Sequence, residues 1–156
     1  MLTVLGKGRE LERLMRISAE LGLADAVDFR GNVTHDEVLS TLQSSHLFLF
    51  PTKVKEGFPK AVLEAMASGL PVIATGVSVL PHLIGTQNGK ILDKPTPEAV
   101  ADAVLSLAAD PHRMAMMGHH ARETSKQYTL ERWQEIIQAR LEKAWGRSLK
   151  PNNQHG

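Results

Sequence analysis

Two continuous apolar runs, at residues 47–50 and 71–74, constrain the fold of this chain more than any other feature. Short apolar runs bounded by turn residues are typical of strands that are buried on both faces of a parallel sheet. Residues 60–68, between the two runs, are mostly small and apolar, as in a helix that is packed on most of its sides. This region is therefore predicted to form a strand, a loop, a helix, a turn and a second strand.

Two carboxylates accompany this unit. Glu64 interrupts the apolar helix, where a lone charge is costly without a partner, and Glu56 lies in the loop before it. Pro59 fits the first helical turn, so the free amides of Lys60 and Ala61 can bind a phosphate. Glu64 can accept hydrogen bonds from the vicinal hydroxyls of a ribose, and Glu56 can hold hydroxyls of a sugar. The alternatives are an ordinary helix start, an ion-paired or solvated Glu64 and a solvated Glu56.

Strands and helices are predicted to alternate along most of the chain, as in a doubly wound parallel sheet. Ligands bind such sheets at the carboxyl ends of the strands. Four loops follow strands and are predicted to lie along that edge: residues 6–8, 31–33, 51–59 and 75–79. The other strands are predicted at 2–5, 26–30 and 89–92, and the other helices at 10–21, 34–44, 80–84, 97–108, 111–128 and 130–145. A capping box of Thr34 and Glu37 is predicted to start the helix at 34–44.

The composition narrows the class of function. The chain has 156 residues, enough for one domain with a real core. No domain boundary stands out within residues 1–146, and the polar residues 147–156 are predicted to be a disordered tail. A net charge of +1 and an aromatic content of 4% argue against a nucleic-acid partner. The absence of cysteine excludes disulfides, thiolate metal sites and cysteine nucleophiles.

Three further patterns have weaker implications. The Gly6-Lys7-Gly8 turn lacks the third glycine of a dinucleotide-binding motif, but it suggests a close approach of the backbone to something. His119 and His120 are neighbours on a helix and form a poor metal pair. An apolar stripe on the last helix is interpreted as core packing, with a docking face for a missing domain as the alternative. Its members are Leu130, Trp133, Ile136, Ile137, Leu141 and Trp145.

The region from Glu56 to Thr75 resembles the hallmark of glycosyltransferase family 4 (group 1), two glutamates separated by seven residues. Here the two are Glu56 and Glu64. Residues 4–8, 27–33 and 49–52 resemble the family's flanking strands and loops, so the resemblance runs over about residues 2–145.

The resemblance implies the C-terminal, donor-binding half of a two-domain GT-B fold, Rossmann-like with C-terminal helices, over residues 1–146. By analogy, Glu64 would bind the ribose and Glu56 would contact the donor sugar as the catalytic contact. The residues assigned to the sugar and phosphate site are Gly57, Phe58, Pro59 and Lys60. Gly31, Asn32 and Val33 would lie near the base, and Gly6 and Gly8 would face the interdomain crevice.

The family resemblance also implies an activity. The full enzyme would be a retaining glycosyltransferase that uses a UDP-, GDP- or ADP-linked sugar as donor, without a metal or another cofactor. The acceptor would be a glycan, a lipid or a small molecule. The expected location is the cytoplasm, with any membrane contact made through the missing domain.

The chain departs from the family pattern in ways that affect the expected activity. The N-terminal acceptor domain and the opening segment with its diphosphate-binding Arg and Lys are absent, and His82 replaces a Glu. The chain alone is therefore predicted to be inactive, with the missing domain or a separate chain as partner and a homodimer as a further option. A non-enzymatic nucleotide-binding or partner module is the alternative. A sugar-nucleotide epimerase is a third, against which the spacing of Glu56 and Glu64 argues.

Overall fold

A computed structural model describes residues 1–54, 57–146 and 148 of the chain. Within these residues, strands and helices alternate as far as β5, and the remainder is helical. The strands are β1 (Leu2–Leu5), β2 (Val27–Gly31), β3 (Phe48–Phe50), β4 (Val72–Thr75) and β5 (Gly89–Leu92). The helices are α1 (Leu11–Glu20), α2 (His35–Gln43), α3 (Lys60–Ala67), α4 (Leu80–Leu83), α5 (Pro97–Ala108), α6 (Pro111–Ser125) and α7 (Leu130–Trp145), with a 3₁₀ helix (Lys126–Tyr128) between α6 and α7.

The chain divides into two compact units, Met1–Ser45 and His46–Gly156. In the first unit, β1 and β2 pair in parallel with Leu2 opposite Val27, and α1 and α2 follow the two strands. That residues 1–146 form one donor-binding domain stays a prediction. The predicted disordered tail at 147–156 lies outside the described residues, apart from Ser148.

The second unit contains a parallel sheet in the order β3-β4-β5. Every residue of β4 is buried, because apolar clusters cover both faces of this central strand. Val72 and Ala74 belong to a cluster with Val62 and Met66 of α3, and Ile73 belongs to a cluster with residues of α5 and α6. Successive strand residues point to opposite faces of a sheet, so helices cover both faces. The predicted α/β fold, with parallel strands and flanking helices, is confirmed.

The sequence of α3 explains how this helix is held against the sheet. One face of α3 carries three fully buried side chains, Val62, Ala65 and Met66. Val62 precedes the other two by three and four residues, which is the spacing of a single helix face. Beyond its end at Ala67, the chain turns at Gly69, whose φ of +82° is a left-handed conformation that glycine adopts without strain. The Gly69 amide donates to the carbonyl oxygen of Met66, which closes the last turn. The buried side chains thus hold α3 against β4, and the turn at Gly69 leads the chain toward that strand.

Candidate functional site

The predicted binding edge of the second unit is a shallow groove at the carboxyl ends of β3 and β4. The loops after both strands contribute to it together with the residue before α3, and the space between them is too small to hold a water molecule. Thr52, Val54 and Pro59 of the first loop therefore meet Val77 and Ser78 of the second, as the sheet topology predicts. The groove is lined by Phe50, Thr52, Val54, Pro59, Val77, Ser78 and Leu80.

Glu64 lies one turn inside α3, on the helix face that carries Lys60. The residue is half-buried. Among residues 1–54, 57–146 and 148, neither an ion pair nor a hydrogen bond engages its carboxylate. Its backbone carbonyl, in contrast, accepts hydrogen bonds from the amide and the hydroxyl of Ser68. The ion-paired alternative for Glu64 thus finds no partner in the described part of the chain, and the carboxylate oxygens remain available to hydroxyl donors.

The N-terminus of α3 differs from the sequence prediction in one detail. Pro59 was expected in the first helical turn, but its ψ of 105° is extended, so it occupies the N-cap position and the helix begins at Lys60. A proline side chain has no acceptor atom, whereas Thr34, Thr96 and Asp110 cap their helices through side-chain oxygens. The first amides of α3 therefore receive no side-chain cap from their N-cap residue, and the first turn carries no acidic residue.

The loop before α3 contains the other predicted donor-site residues. Gly57 is exposed, and a Cβ placed on it would meet open space. Phe58 is 39% exposed, and its ring packs on that of Tyr128 with 5.5 Å between the ring centroids. Glu56 lies outside the described residues, so its predicted contact with the donor sugar stays a prediction.

In the first unit, the glycine turns after β1 and β2 are joined directly. The amide of Gly6 donates to the carbonyl oxygen of Gly31 across 2.6 Å, and both residues have positive φ, +116° and +63°. A Cβ on either glycine would meet open space, so lack of room does not explain their presence. Glycine is needed at these two positions for its backbone conformation. Gly8 has no positive φ, and a Cβ on it would meet open space among the described residues. Asn32 is exposed next to this pair.

A capping box follows the second glycine turn and starts α2. The Thr34 hydroxyl accepts from the Glu37 amide, and the Glu37 carboxylate accepts from the Thr34 amide at 2.7 Å and from its hydroxyl at 2.8 Å. The predicted capping box is therefore confirmed. These hydrogen bonds, led by the one from the Thr34 backbone, lower the pKa of Glu37 below its ordinary value of 4.5. Val33 precedes this box and is half-buried.

Sequence reasoning missed three residues at or near the groove. Ser78 has a φ of 54°, a conformation unusual outside glycine, and no local pattern announces it. The hydroxyl of Thr75, at the end of β4, is buried and has no hydrogen-bond partner among the described residues. Tyr128 contacts Phe58 from the 3₁₀ helix. Of these three residues, only Thr75 could have been singled out from the sequence, because it is a polar residue at the end of a predicted buried strand.

Groups of three or more His, Asp or Glu side chains that could hold a metal ion do not occur within the described ranges. His119 and His120 lie edge to face on α6, and His82 is exposed on α4. The use of no metal stays a prediction. Of the helices in the described part of the chain, none combines the length and apolar character needed to cross a membrane.

Sequence comparison finds one family and several relatives. The family described as "Glycosyl transferases group 1" matches residues 1–124. A GDP-mannose-dependent alpha-(1-6)-phosphatidylinositol monomannoside mannosyltransferase from Mycobacterium tuberculosis is 33% identical over 129 residues, which are 78% of this chain and 34% of that protein. The chain thus spans about a third of the length of this relative.

Solved structures share the fold. The Anabaena protein HepE in complex with UDP superimposes with a TM-score of 0.81 at 20% identity, over 90% of this chain and 40% of that one. The C-terminal domain of the group 1 glycosyltransferase LpcC from Francisella tularensis gives a TM-score of 0.71 at 25% identity, over 80% of this chain and 66% of that one. With the family match over most of its length, the chain belongs to the group 1 glycosyltransferases.

Proposed function

We propose that this chain is the donor-binding, C-terminal half of a retaining family 4 glycosyltransferase with a GT-B fold. The observation that carries the proposal is Glu64, a half-buried carboxylate without a cation or hydrogen-bond donor among the described residues, one turn inside a helix that starts at the groove. A carboxylate in this setting can accept both hydroxyls of a ribose. The C-terminal domain of LpcC, a group 1 glycosyltransferase, shares the fold and supports the assignment to the C-terminal half.

The start of α3 supplies the phosphate part of the proposed site. Its first amides are left without a side-chain cap by Pro59, and Lys60 is exposed in the first turn. A lysine at this end of a helix is unfavourable by itself, because the positive end of the helix dipole repels it. A bound diphosphate is attracted both by Lys60 and by the positive end of the helix dipole, which contributes about 0.3–1 kcal/mol per favourable charge at the helix end. Amides and positive charge at this position stabilise the departing nucleoside diphosphate.

The chemistry assigned to this half is recognition of the donor. The donor is a UDP-, GDP- or ADP-linked sugar; the mannosyltransferase relative is named for GDP-mannose and HepE was solved with UDP, so the base stays open. Glu56 contacts the sugar, and Gly57, Phe58, Pro59 and Lys60 line the sugar and phosphate site. The roles that the family resemblance gives to Gly6, Gly8, Gly31, Asn32 and Val33 are part of the proposal. Transfer retains the anomeric configuration and needs no metal.

The acceptor is bound by a part of the enzyme outside this chain, which spans about a third of the mannosyltransferase relative. The isolated chain is therefore expected to bind the donor nucleotide without transferring sugar. Turnover by the isolated chain with any sugar acceptor would contradict this part. The full enzyme is proposed to act in the cytoplasm, with any membrane contact made by its other domain.

The alternative function is a non-enzymatic nucleotide-binding or partner module. It is favoured by α7, on which Leu130, Trp133 and Ile137 are 84%, 47% and 51% exposed. These residues follow the i, i+3, i+7 spacing of a helix that packs on another surface. The sequence interpretation of this stripe as core packing is wrong for these three side chains. The missing domain, a separate chain and a second copy are the possible partners, and sedimentation across concentrations separates self-association from the others.

Calorimetric titration of the chain with UDP, GDP and ADP tests the proposed function. One nucleotide is expected to bind, and Glu64→Ala is expected to weaken its binding by about 1–3 kcal/mol, the scale for stranding buried polar partners. Glu98→Ala is the matched control, because Glu98 is an exposed glutamate in the first turn of a different helix, α5. Failure of all three nucleotides to bind at millimolar concentration, or equal affinities of the wild type and Glu64→Ala, would contradict the proposal.

A further inference from the structure

Helix α6 contacts the C-terminal end of α3, and the 3₁₀ helix that continues α6 contacts the loop that precedes α3. At the C-terminal end, the Arg122 guanidinium donates through Nε to the carbonyl oxygen of Ala67 and through Nη2 to that of Ser68, each at 3.2 Å. The last carbonyl groups of a helix have no partner within the helix, so this arginine satisfies two acceptors at the end of α3. The C-terminus of α3 is therefore fixed by a side chain from α6.

At the opposite end, the contact is aromatic. Phe58 lies two residues before α3, and its ring packs on Tyr128 with a centroid distance of 5.5 Å and an interplanar angle of 36°. Such tilted aromatic pairs stabilise a contact beyond the burial of apolar area. Tyr128 itself packs against the apolar cluster that includes Val62 and Met66 of α3. One ring thus contacts the loop that leads into α3 and the apolar core to which α3 contributes.

These contacts place Tyr128 between the rigid core and the start of the proposed donor site. Phe58 is more than a third exposed, and Gly57 before it has open space around it, so neither is held by deep burial. The Pro59 carbonyl accepts from the Val62 amide, which ties the position of the loop to the first turn of α3. Displacement of Phe58 would therefore shift the free amides of Lys60 and Ala61.

We propose that Tyr128 is a positioning residue for the donor site, which holds Phe58 and thereby sets where the first amides of α3 point. The inference rests on the proposed function for the identity of the ligand. Tyr128 touches Phe58 and the core rather than the ligand, so its effect on binding is indirect. Displacements of about 1 Å at a binding group are large enough to matter energetically.

Hydrogen exchange tests the positioning without any ligand. In Tyr128→Leu, the Val62 amide, which donates to the Pro59 carbonyl oxygen, is expected to exchange about threefold to tenfold faster, the range that corresponds to one aromatic pair. Tyr128→Phe keeps the ring and is expected to match the wild type. Met114→Ala is the control for general destabilisation, because Met114 packs against the second apolar cluster, with Ile73 and Leu107.

A second variant changes Phe58, the exposed partner in this aromatic contact. Phe58→Leu removes the other ring at a partly solvated position, so the variant is expected to fold and to show the same faster exchange at the Val62 amide. The double variant Phe58→Leu with Tyr128→Leu is expected to show no further increase, because each single change already removes the pair. Unchanged exchange at this amide in both single variants would overturn the proposal.

Nucleotide binding separates this inference from the proposed function. If the wild type binds UDP, GDP or ADP, Tyr128→Leu is expected to raise the Kd about threefold to tenfold, with Tyr128→Phe restoring it. Equal Kd values for the wild type and Tyr128→Leu would overturn the positioning role while leaving the donor site intact. If none of the three nucleotides binds the wild type, the proposed function and the positioning role at a donor site both fail, even where exchange shows that Tyr128 orders the loop.

Discussion

Gly118 of α6 lies directly against the carbonyl oxygen of Gly69, so that a Cβ placed on Gly118 would overlap this oxygen. The same approach brings Arg122 to the end of α3, since both residues are on α6 one turn apart. Two glycines thus permit the close approach of α6 to the turn that follows α3. The position of α3, and of the site at its other end, depends on this contact.

Gly118→Ala is expected to lower the free energy of unfolding by about 1–3 kcal/mol, because the added methyl group must push backbone away from backbone. Denaturant unfolding followed by circular dichroism measures the change. Gly85→Ala is the matched control, since Gly85 is exposed, a Cβ there meets open space and its φ is not positive. A Gly118→Ala protein as stable as Gly85→Ala would contradict the close packing of α6 on α3.

Ser78 provides a second test at the groove. Its φ of 54° costs a residue with a Cβ about 1–2 kcal/mol, whereas glycine adopts it freely but loses more entropy on folding. Ser78→Gly is expected to be more stable than the wild type by less than about 1 kcal/mol. Ser78→Val, with a branched Cβ, is expected to be the least stable of the three. Thermal unfolding of the three proteins in a different order would show that this turn is not left-handed in solution.

The buried hydroxyl of Thr75 has no partner among the described residues. Replacing a buried unpaired polar group by an apolar group of the same shape removes its desolvation penalty, which is about 1–3 kcal/mol. Thr75→Val is therefore expected to raise the free energy of unfolding, measured in urea. A loss of stability would mean that the hydroxyl has a hydrogen-bond partner in solution.

The stability of the protein is expected to depend on pH through Glu37 at the start of α2. Its pKa in the folded protein is lowered, chiefly by the hydrogen bond from the Thr34 amide. The contribution of this carboxylate to the free energy of unfolding is therefore fully present above the pKa of the unfolded chain, about 4.5. It is lost as the pH falls through the lower pKa of the folded protein. Urea midpoints between pH 7 and pH 3 are expected to fall more steeply for the wild type than for Glu37→Gln. Parallel curves for the two proteins would contradict the lowered pKa.

Local sequence patterns were sufficient for the elements of the fold. The apolar run at 47–50 predicted β3, and Thr34 with Glu37 predicted the start of α2. Such patterns did not predict that Pro59 is the N-cap of α3 rather than a residue of its first turn. The proline ring fixes φ but leaves ψ free, and ψ decides between these two positions.

The parts of the site that the sequence did not predict depend on contacts between distant segments. Phe58 and Tyr128 are far apart in the chain, and no periodicity connects them. Arg122 reaches the end of α3 for the same reason, through packing of α6 that only the folded chain defines. The conformation of Ser78 likewise follows from the turn between β4 and α4 rather than from its own residue type. Glu64 was predictable because a charge inside an apolar helix is visible in the sequence itself.

The central claim is that the Glu64 carboxylate binds the ribose of a nucleoside diphosphate. Its most direct test is calorimetry with the nucleotide that binds best and with its 2′,3′-dideoxy analogue, on the wild type and on Glu64→Ala. The wild type is expected to prefer the ribose form by about tenfold or more, which corresponds to about 1.4 kcal/mol, and Glu64→Ala is expected to lose this preference. A wild type that binds both nucleotides equally, or a Glu64→Ala protein that keeps the full preference, would contradict the claim.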